Sequence, residues 1–125
     1  MIPAFMLRQL YEKNSLKNVV DENNNKVGFG FSLLNRLGTG TMEGGFSLVV
    51  DGEEVQPEKI RIEKGGVASR ADEFAKSPVR FTVGDRISFF IERPGGLQPG
   101  VHKIVVKAMT REYGKIEFDF SDNVP

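Results

Sequence analysis

The stretch VGFGFSL at positions 27–33 decides the fold, because apolar residues alternate in it with glycine and serine. Side chains of a β-strand point to its two faces in turn, so a period of two predicts a strand with one buried face and one partly wet face. No segment of the chain keeps a helical period for more than about two turns. The strand pattern recurs at positions 46–50, 79–83, 87–91, 104–108 and 116–120.

Turn-forming residues separate these predicted strands. Asp51-Gly52 predicts a two-residue hairpin, because a type I′ turn needs positive φ at both central residues. The asparagines at positions 23–25 predict a second hairpin, and positions 112–114 predict a turn between the last two strands. Positions 94–100 read PGGLQPG, which cannot continue a strand and therefore predicts a fixed loop. The whole pattern predicts an antiparallel, jelly-roll-like β-sandwich of about eight strands.

The length of 125 residues predicts a single domain. We expect residues 1–12 to form an N-terminal arm and residues 13–125 to form the sandwich. The one helix candidate is positions 69–76, a loose capping pattern that Pro78 follows, and it predicts about two turns at most. The glycine-rich positions 38–45 predict a long flexible loop between two strands. That loop lacks the lysine and the following helix of a phosphate-binding loop.

The composition narrows the function classes. Lys and Arg number 17, as do Asp and Glu, so the formal net charge is zero, which disfavours nucleic acid and anionic membrane as partners. The chain has no Cys, which excludes disulfides, cysteine-ligated zinc, iron–sulfur clusters and thiol nucleophiles. The first residues lack the basic and apolar regions of a secretory signal, and the apolar runs are too short to span a bilayer. We therefore expect a cytoplasmic protein.

The single histidine, His102, is the natural candidate for a general base near neutral pH. It lies at the start of a predicted strand, two residues before Ile104. Its side chain should therefore point to the same face of the sheet as that of Ile104, which is expected to face the core. Two interpretations are open: a base or ligand beside a cleft, or a ring that packs at the core rim and hydrogen-bonds the loop at 94–100. We favour the second, because a metal site needs several ligands and no cluster of them is visible. The residues alone predict no catalytic site and no metal site in this chain.

Five phrases of the sequence occur in an order that resembles a known family. They are NVV at 18–20, VGF at 27–29, LVVDGEEV at 48–55, ERPGGLQPGVH at 92–102 and TREY at 110–113. Over nearly the whole chain they resemble the β subunit of the C-glycoside deglycosidases. The run Pro-Gly-Gly-Leu-x-Pro-Gly-x-His is the most specific part of the resemblance.

The resemblance implies a small β-sandwich subunit in a hetero-oligomer with a larger α subunit that is similar to a sugar-isomerase barrel. The α subunit would hold a divalent metal, Mn²⁺, and this chain would hold no cofactor. The complex would act on a 3-oxo-C-glycoside of a flavonoid or similar aglycone. The ketone acidifies the neighbouring C2 proton, a base removes it, and elimination breaks the bond between the anomeric carbon and the aryl carbon. The metal stabilises the enolate oxygen, so the implied activity is that of a carbon–carbon lyase.

The resemblance also nominates residues that face substrate or partner, namely Arg36, Gly38, His102 and Tyr113. Arg36 and Gly38 correspond to a Tyr-Arg-Gly-like stretch of the family before the Asp-Gly hairpin, although the Tyr is missing here. A stand-alone β-sandwich binding or interaction domain is the alternative. An independent small metalloenzyme around His102 is a third hypothesis.

Overall fold

The computed structural model describes residues 2–125 and confirms an all-β sandwich of antiparallel sheets, with 56% strand and 10% helix. The number of strands is ten, against the predicted eight or so. The strands are β1 (Lys17–Val20), β2 (Lys26–Leu34), β3 (Gly40–Val50), β4 (Glu53–Val55), β5 (Ile60–Lys64), β6 (Val67–Arg70), β7 (Val79–Phe81), β8 (Arg86–Glu92), β9 (Gly100–Thr110) and β10 (Gly114–Val124). A short α-helix, α1, spans Ala4–Leu7, and single 3₁₀ turns span Arg8–Leu10, Pro57–Lys59 and Ala71–Glu73.

Two sheets make the sandwich. The first has the strand order β1-β2-β8-β5-β6, and the second has the order β10-β9-β3-β4, with β7 also paired to β3. The Asp51-Gly52 hairpin between β3 and β4 is confirmed, with φ of 50° and 86° at its two residues. A second pair of positive-φ residues, Gly65 and Gly66, turns β5 into β6. That hairpin was not predicted from the sequence, so β5 and β6 were missed.

Aromatic rings fill the space between the sheets. Phe31 and Phe89 stack with ring centroids 4.7 Å apart, and Phe46 of the second sheet stacks on Phe89 at 5.5 Å. Full burial of one such side chain contributes about 2 kcal/mol. The inward residues of β2 are therefore those that the alternation predicted.

The outward face of β2 is not wet, as the alternation had suggested. Gly28 and Gly30 are buried there, because the ring of Phe90 and the side chain of Val19 lie over them. A glycine permits this close approach of covering groups. The first sheet thus carries a small apolar layer on its outer side.

The segment before β1 closes one side of the sandwich between β2 and β10. Leu7 is 2% exposed and belongs to the core. Tyr11 forms a bridge with Leu33 of β2 and stacks on Phe120 of β10 at 3.7 Å. Its hydroxyl donates to Asp122 Oδ2 at 2.7 Å, and burial, followed by this hydrogen bond, raises the pKa of Tyr11 to about 12. The division into an arm (1–12) and a sandwich (13–125) stays a prediction.

Two local expectations are corrected. Ser69, expected to cap a helix over positions 69–76, lies in β6 opposite Ile62, and only Ala71–Glu73 forms a single 3₁₀ turn. Strand pairing thus overrides a weak local capping pattern. The expected flexible loop at 38–45 is mostly strand, because β3 begins at Gly40 and pairs with β7 and β9.

Candidate functional site

The loop at 94–99 is held in one conformation by the side-chain amide of Asn18. Its Nδ2 donates to the Leu97 carbonyl oxygen at 2.9 Å, and its Oδ1 accepts from the Leu97 N–H at 2.7 Å. Leu97 itself is 2% exposed, so its side chain anchors the loop in the core. The Gly95 N–H donates to the Lys26 carbonyl oxygen at 3.0 Å and ties the loop to β2. The sequence at positions 94–100 predicted a fixed loop, and these hydrogen bonds hold the loop in place.

His102 adds a further tie to the same loop. Its Nε2 lies 2.6 Å from the Gln98 carbonyl oxygen, and its Nδ1 lies 2.5 Å from Asp51 Oδ2. A carbonyl and a carboxylate oxygen only accept, so the two hydrogen bonds form together when both ring nitrogens carry a proton, as in the imidazolium. The hydrogen bond that we expected between His102 and the loop is present. It joins the loop, the β3–β4 hairpin and the start of β9 into one cluster.

The partners of His102 shift its titration. The Asp51 carboxylate, and then the Gln98 carbonyl, raise the pKa of His102 above its ordinary value, and these effects exceed the opposing effects of burial and of the Arg93 charge. The His102 hydrogen bond in turn lowers the pKa of Asp51, whose Oδ1 also accepts from the Lys103 N–H at 2.9 Å. This is the arrangement of a structural ion pair, in which both N–H groups of the ring are already used.

We expect the stability from His102 to be lost as the pH rises. An unfolded histidine titrates near 6.5, and the folded pKa is higher, so the contribution is full below that pH and disappears as the pH passes the folded pKa. Urea unfolding should show His102→Gln less stable than the native chain by about 1–2 kcal/mol near pH 6, with a smaller gap near pH 9. Asp51→Asn, which keeps the positive-φ turn, should remove most of this pH dependence. A gap that is constant over this range would contradict the imidazolium.

The other three nominated residues lie at the opposite end of the sandwich. Tyr113 occupies the β9–β10 turn, and its hydroxyl is so close to Gly38 that a Cβ there would lie 2.8 Å from it. Arg36 Nη1 donates to the Gln9 carbonyl oxygen at 3.2 Å. His102 precedes Thr110, at this end of β9, by eight residues, which is about 26 Å at ~3.3 Å per residue. The nominated residues therefore form two separate groups.

An apolar cavity of about 80 Å³ lies between the sheets at the Tyr113 end. Its inner wall is formed by core side chains of both sheets, and its mouth by partly exposed residues, which are Ile2, Leu10, Leu37, Gly38, Gly40, Tyr113 and Ile116. The sequence analysis missed this cavity. The signal available was two glycines, Gly38 and Gly40, at which no positive φ calls for glycine.

The polar side chains in the cavity wall already form hydrogen bonds with the backbone. Asn35 Nδ2 donates to the Gly38 carbonyl oxygen at 2.8 Å, and its Oδ1 accepts from the Leu37 N–H at 3.1 Å. Thr110 Oγ1 donates to the Gly114 carbonyl oxygen and accepts from the Tyr113 N–H. These hydrogen bonds fix the two turns at the mouth and leave an apolar interior, which suits an apolar group rather than water.

Metal and membrane sites were also sought in the described part of the chain. Within residues 2–125, no three His, Cys, Asp or Glu side chains come together as a metal site requires. None of the helices described there has the length and hydropathy needed to cross a bilayer.

The chain was compared with known families and structures. The model of the family described as "Hydroxymethylglutaryl-CoA reductase, N-terminal domain" matches residues 6–125. No curated protein sequence matches the chain significantly.

Similar solved structures share little sequence with the chain. One is a family 123 glycoside hydrolase from Clostridium perfringens, with 11% identity, a TM-score of 0.34, and coverage of 86% of this chain but 22% of the hydrolase. Another is self-complemented MyfA, the major subunit of the Myf fimbriae of Yersinia enterocolitica, with 13% identity, a TM-score of 0.33 and coverage of 87% and 97%. A third is the N-terminal domain of PorA, with 10% identity, a TM-score of 0.37 and coverage of 90% and 89%. TM-scores at this level carry no inference about this chain.

Proposed function

Since the chain belongs to the family described as hydroxymethylglutaryl-CoA reductase, N-terminal domain, we propose that it is an accessory β-sandwich that works beside a larger catalytic chain. For the reaction of that larger chain we propose the cleavage of 3-oxo-C-glycosides of the flavonoid type. The ordered phrases from position 18 to position 113 support this choice through their resemblance to the β subunit of the C-glycoside deglycosidases. The site of action would be cytoplasmic.

The rigid loop at 94–99, together with the first residues of β9, is the observation that carries the proposal. It is the most specific part of the resemblance, and its inner side is fixed by Asn18, Leu97 and His102. Its outer side is free, with Pro94, Gln98 and Pro99 exposed and Val101 73% exposed. A preformed loop loses little conformational entropy when a partner covers it. The loop is therefore suited to dock on the larger chain.

In this proposal the two chains divide the chemistry. The partner's Mn²⁺ would stabilise the enolate oxygen of the reacting sugar. His102 would not act as the base, because both of its ring nitrogens already donate to Asp51 and Gln98. This chain would shape the partner's site and exclude water from it.

The decisive experiment is co-expression with a barrel-type α subunit, followed by size-exclusion chromatography and an assay on a 3-oxo-C-glycoside with Mn²⁺. We expect the chains to elute together, and turnover to need both chains and the metal. Turnover by this chain alone, or separate elution, would refute the proposal. Separate elution would favour a stand-alone binding domain.

A matched pair of variants tests the docking loop. Val101→Glu places a charge on the exposed loop side, and Val67→Glu places one on an equally open valine, 67% exposed, in β6 at the other end of the sandwich. Burial of an unpaired charge at an interface is strongly unfavourable. We expect Val101→Glu to weaken assembly by about 100-fold, and Val67→Glu to leave it unchanged. Equal affinities for the two variants would contradict docking through the loop.

A second candidate function rests on the family match over residues 6–125. The chain would then be the accessory domain of a reductase that acts on a hydroxymethylglutaryl thioester. The co-expression experiment separates the candidates when the same chain is also offered a hydroxymethylglutaryl-CoA reductase catalytic domain. Co-elution with the reductase and not with the barrel would replace the first candidate by the second.

A further inference from the structure

We propose that the apolar cavity at the Tyr113 end binds the hydrocarbon tail of a short-chain carboxylate, and that Arg36 binds its carboxylate. The site is distinct from the loop at 94–99 and does not depend on the proposed function. The lining of the cavity, its volume and the charge beside its mouth support this assignment.

The lining selects an apolar group. The side chains that reach the interior include Met42, Phe46 and Ala108, all 5% exposed or less. The polar atoms of Asn35 and Thr110 are engaged with the backbone, so water inside the cavity would lack partners. Apolar cavities of this kind stay dry and take apolar ligands.

The volume limits the length of that group. An engineered cavity of about 150 Å³ holds benzene, and one water-sized group fills about 30 Å³. The cavity here has about 80 Å³, which is room for about three carbon atoms rather than for an aromatic ring. A linear tail that enters past Tyr113 satisfies this limit.

The charge beside the mouth selects the head group. A shallow cleft lined by Phe5, Arg8, Gln9, Tyr11, Lys13 and Arg36 contains three cations and no carboxylate. Gln9 and Arg36 line the cleft and their chain neighbours Leu10 and Leu37 line the cavity, so the two sites are adjacent along two segments of the chain. Arg8 is engaged with Asp119 at 2.8 Å. The Arg36 guanidinium has a backbone carbonyl as its hydrogen-bond partner, and its remaining N–H groups suit a carboxylate.

The two mouth glycines fit this assignment. Gly38 and Gly40 do not adopt positive φ, and a Cβ at Gly40 would meet nothing closer than the Tyr113 ring at 3.9 Å. Their backbone conformation does not explain the choice of glycine. At Gly38 the Tyr113 hydroxyl occupies the place of a side chain, whereas at Gly40 the missing side chain leaves room beside the Tyr113 ring, which favours entry of a ligand.

The test titrates acetate, butanoate, hexanoate and octanoate into the chain labelled with ¹³C at its Leu, Ile and Val methyl groups. We expect hexanoate to shift the methyl signals of Leu10, Leu37 and Ile116, at the mouth. The dissociation constant should fall about fourfold per methylene until the cavity is full, and then level off. No shift of these methyl signals with hexanoate would overturn the proposal. If hexanol and hexylamine bound as tightly as hexanoate, the role of Arg36 would be overturned.

Three variants locate the site. Ala108→Val fills the cavity from β9 and should abolish the chain-length dependence, whereas Ala68→Val makes the same change on the exposed strand β6 and should leave it intact. Arg36→Gln should make hexanoate bind no better than hexanol, with the methyl shifts retained, and it stays informative if Ala108→Val does not fold. Unchanged hexanoate binding in a folded Ala108→Val variant would overturn the assignment. These measurements use the chain alone, so failure of assembly with a larger subunit does not affect them.

Discussion

Replacing Gly28 by alanine is expected to lower the free energy of unfolding by about 3 kcal/mol or more. A Cβ at this position would lie 2.1 Å from the Ile91 carbonyl oxygen of β8 and 3.0 Å from the ring of Phe90. The nearest group is backbone in a paired strand, so it cannot rotate away. Relief of the clash requires β2 and β8 to separate at the centre of the first sheet.

The matched control for this prediction is Gly40→Ala in β3. A Cβ there meets nothing closer than 3.9 Å, and the backbone does not adopt positive φ. The control should therefore change stability by less than about 1 kcal/mol, because alanine also restricts the unfolded chain. Urea unfolding followed by circular dichroism measures both variants. A loss of stability in Gly28→Ala as small as that in Gly40→Ala would contradict the close contact between β2 and β8 at this position.

The behaviour of Gly28 shows what the sequence could predict of the fold and what it could not. The period-two pattern at 27–33 is local, and it correctly predicted the strand and its buried Phe29, Phe31 and Leu33. The cover over the outer glycines comes from Phe90, about sixty residues later in the chain, through the pairing of β2 with β8. Long-range pairing of this kind leaves no local periodicity, so the outer face was expected to be wet.

The same distinction applies to the candidate site. The position of His102 in its strand and the turn residues of the neighbouring loop were local signals. They predicted a ring that forms a hydrogen bond with the loop. The Asp51 carboxylate, which stabilises the charged form of this ring, comes from the β3–β4 hairpin, and no role beyond the turn was predicted for that residue. The cavity is a volume left over between side chains from many strands, and no motif encodes such a volume. Its trace in the sequence was Gly40, which neither a positive φ nor a close contact explains, beside Gly38, against which the Tyr113 hydroxyl packs.

Replacing Gly96 by alanine is expected to have the second large effect, a loss of about 3 kcal/mol of stability. Gly96 has a φ of 63°, and a Cβ there would lie 2.4 Å from Asn18 Oδ1 and 3.3 Å from the Gly28 carbonyl oxygen. The left-handed conformation alone costs alanine about 1–2 kcal/mol. The clash would also push the Asn18 amide off the two Leu97 backbone groups that it bonds.

A variant at the neighbouring Gly95 separates the cost of the left-handed conformation from the cost of the clash. Gly95 also has positive φ, 85°, but a Cβ there meets nothing within 4 Å. Gly95→Ala should therefore lower the free energy of unfolding only by the cost of the left-handed conformation, about 1–2 kcal/mol. An Asn18→Ala background removes the clash with the amide and leaves only the 3.3 Å contact with the Gly28 carbonyl oxygen, so Gly96→Ala should then destabilise the chain little more than Gly95→Ala does. Urea unfolding of the native chain, Gly96→Ala, Asn18→Ala and the double variant forms a double-mutant cycle, and an equal loss of stability from Gly96→Ala in both backgrounds would show that Asn18 does not hold the loop. If Asn18 does hold it, Gly96→Ala should also weaken docking on a larger chain, because the freed loop must be ordered again when the partner binds.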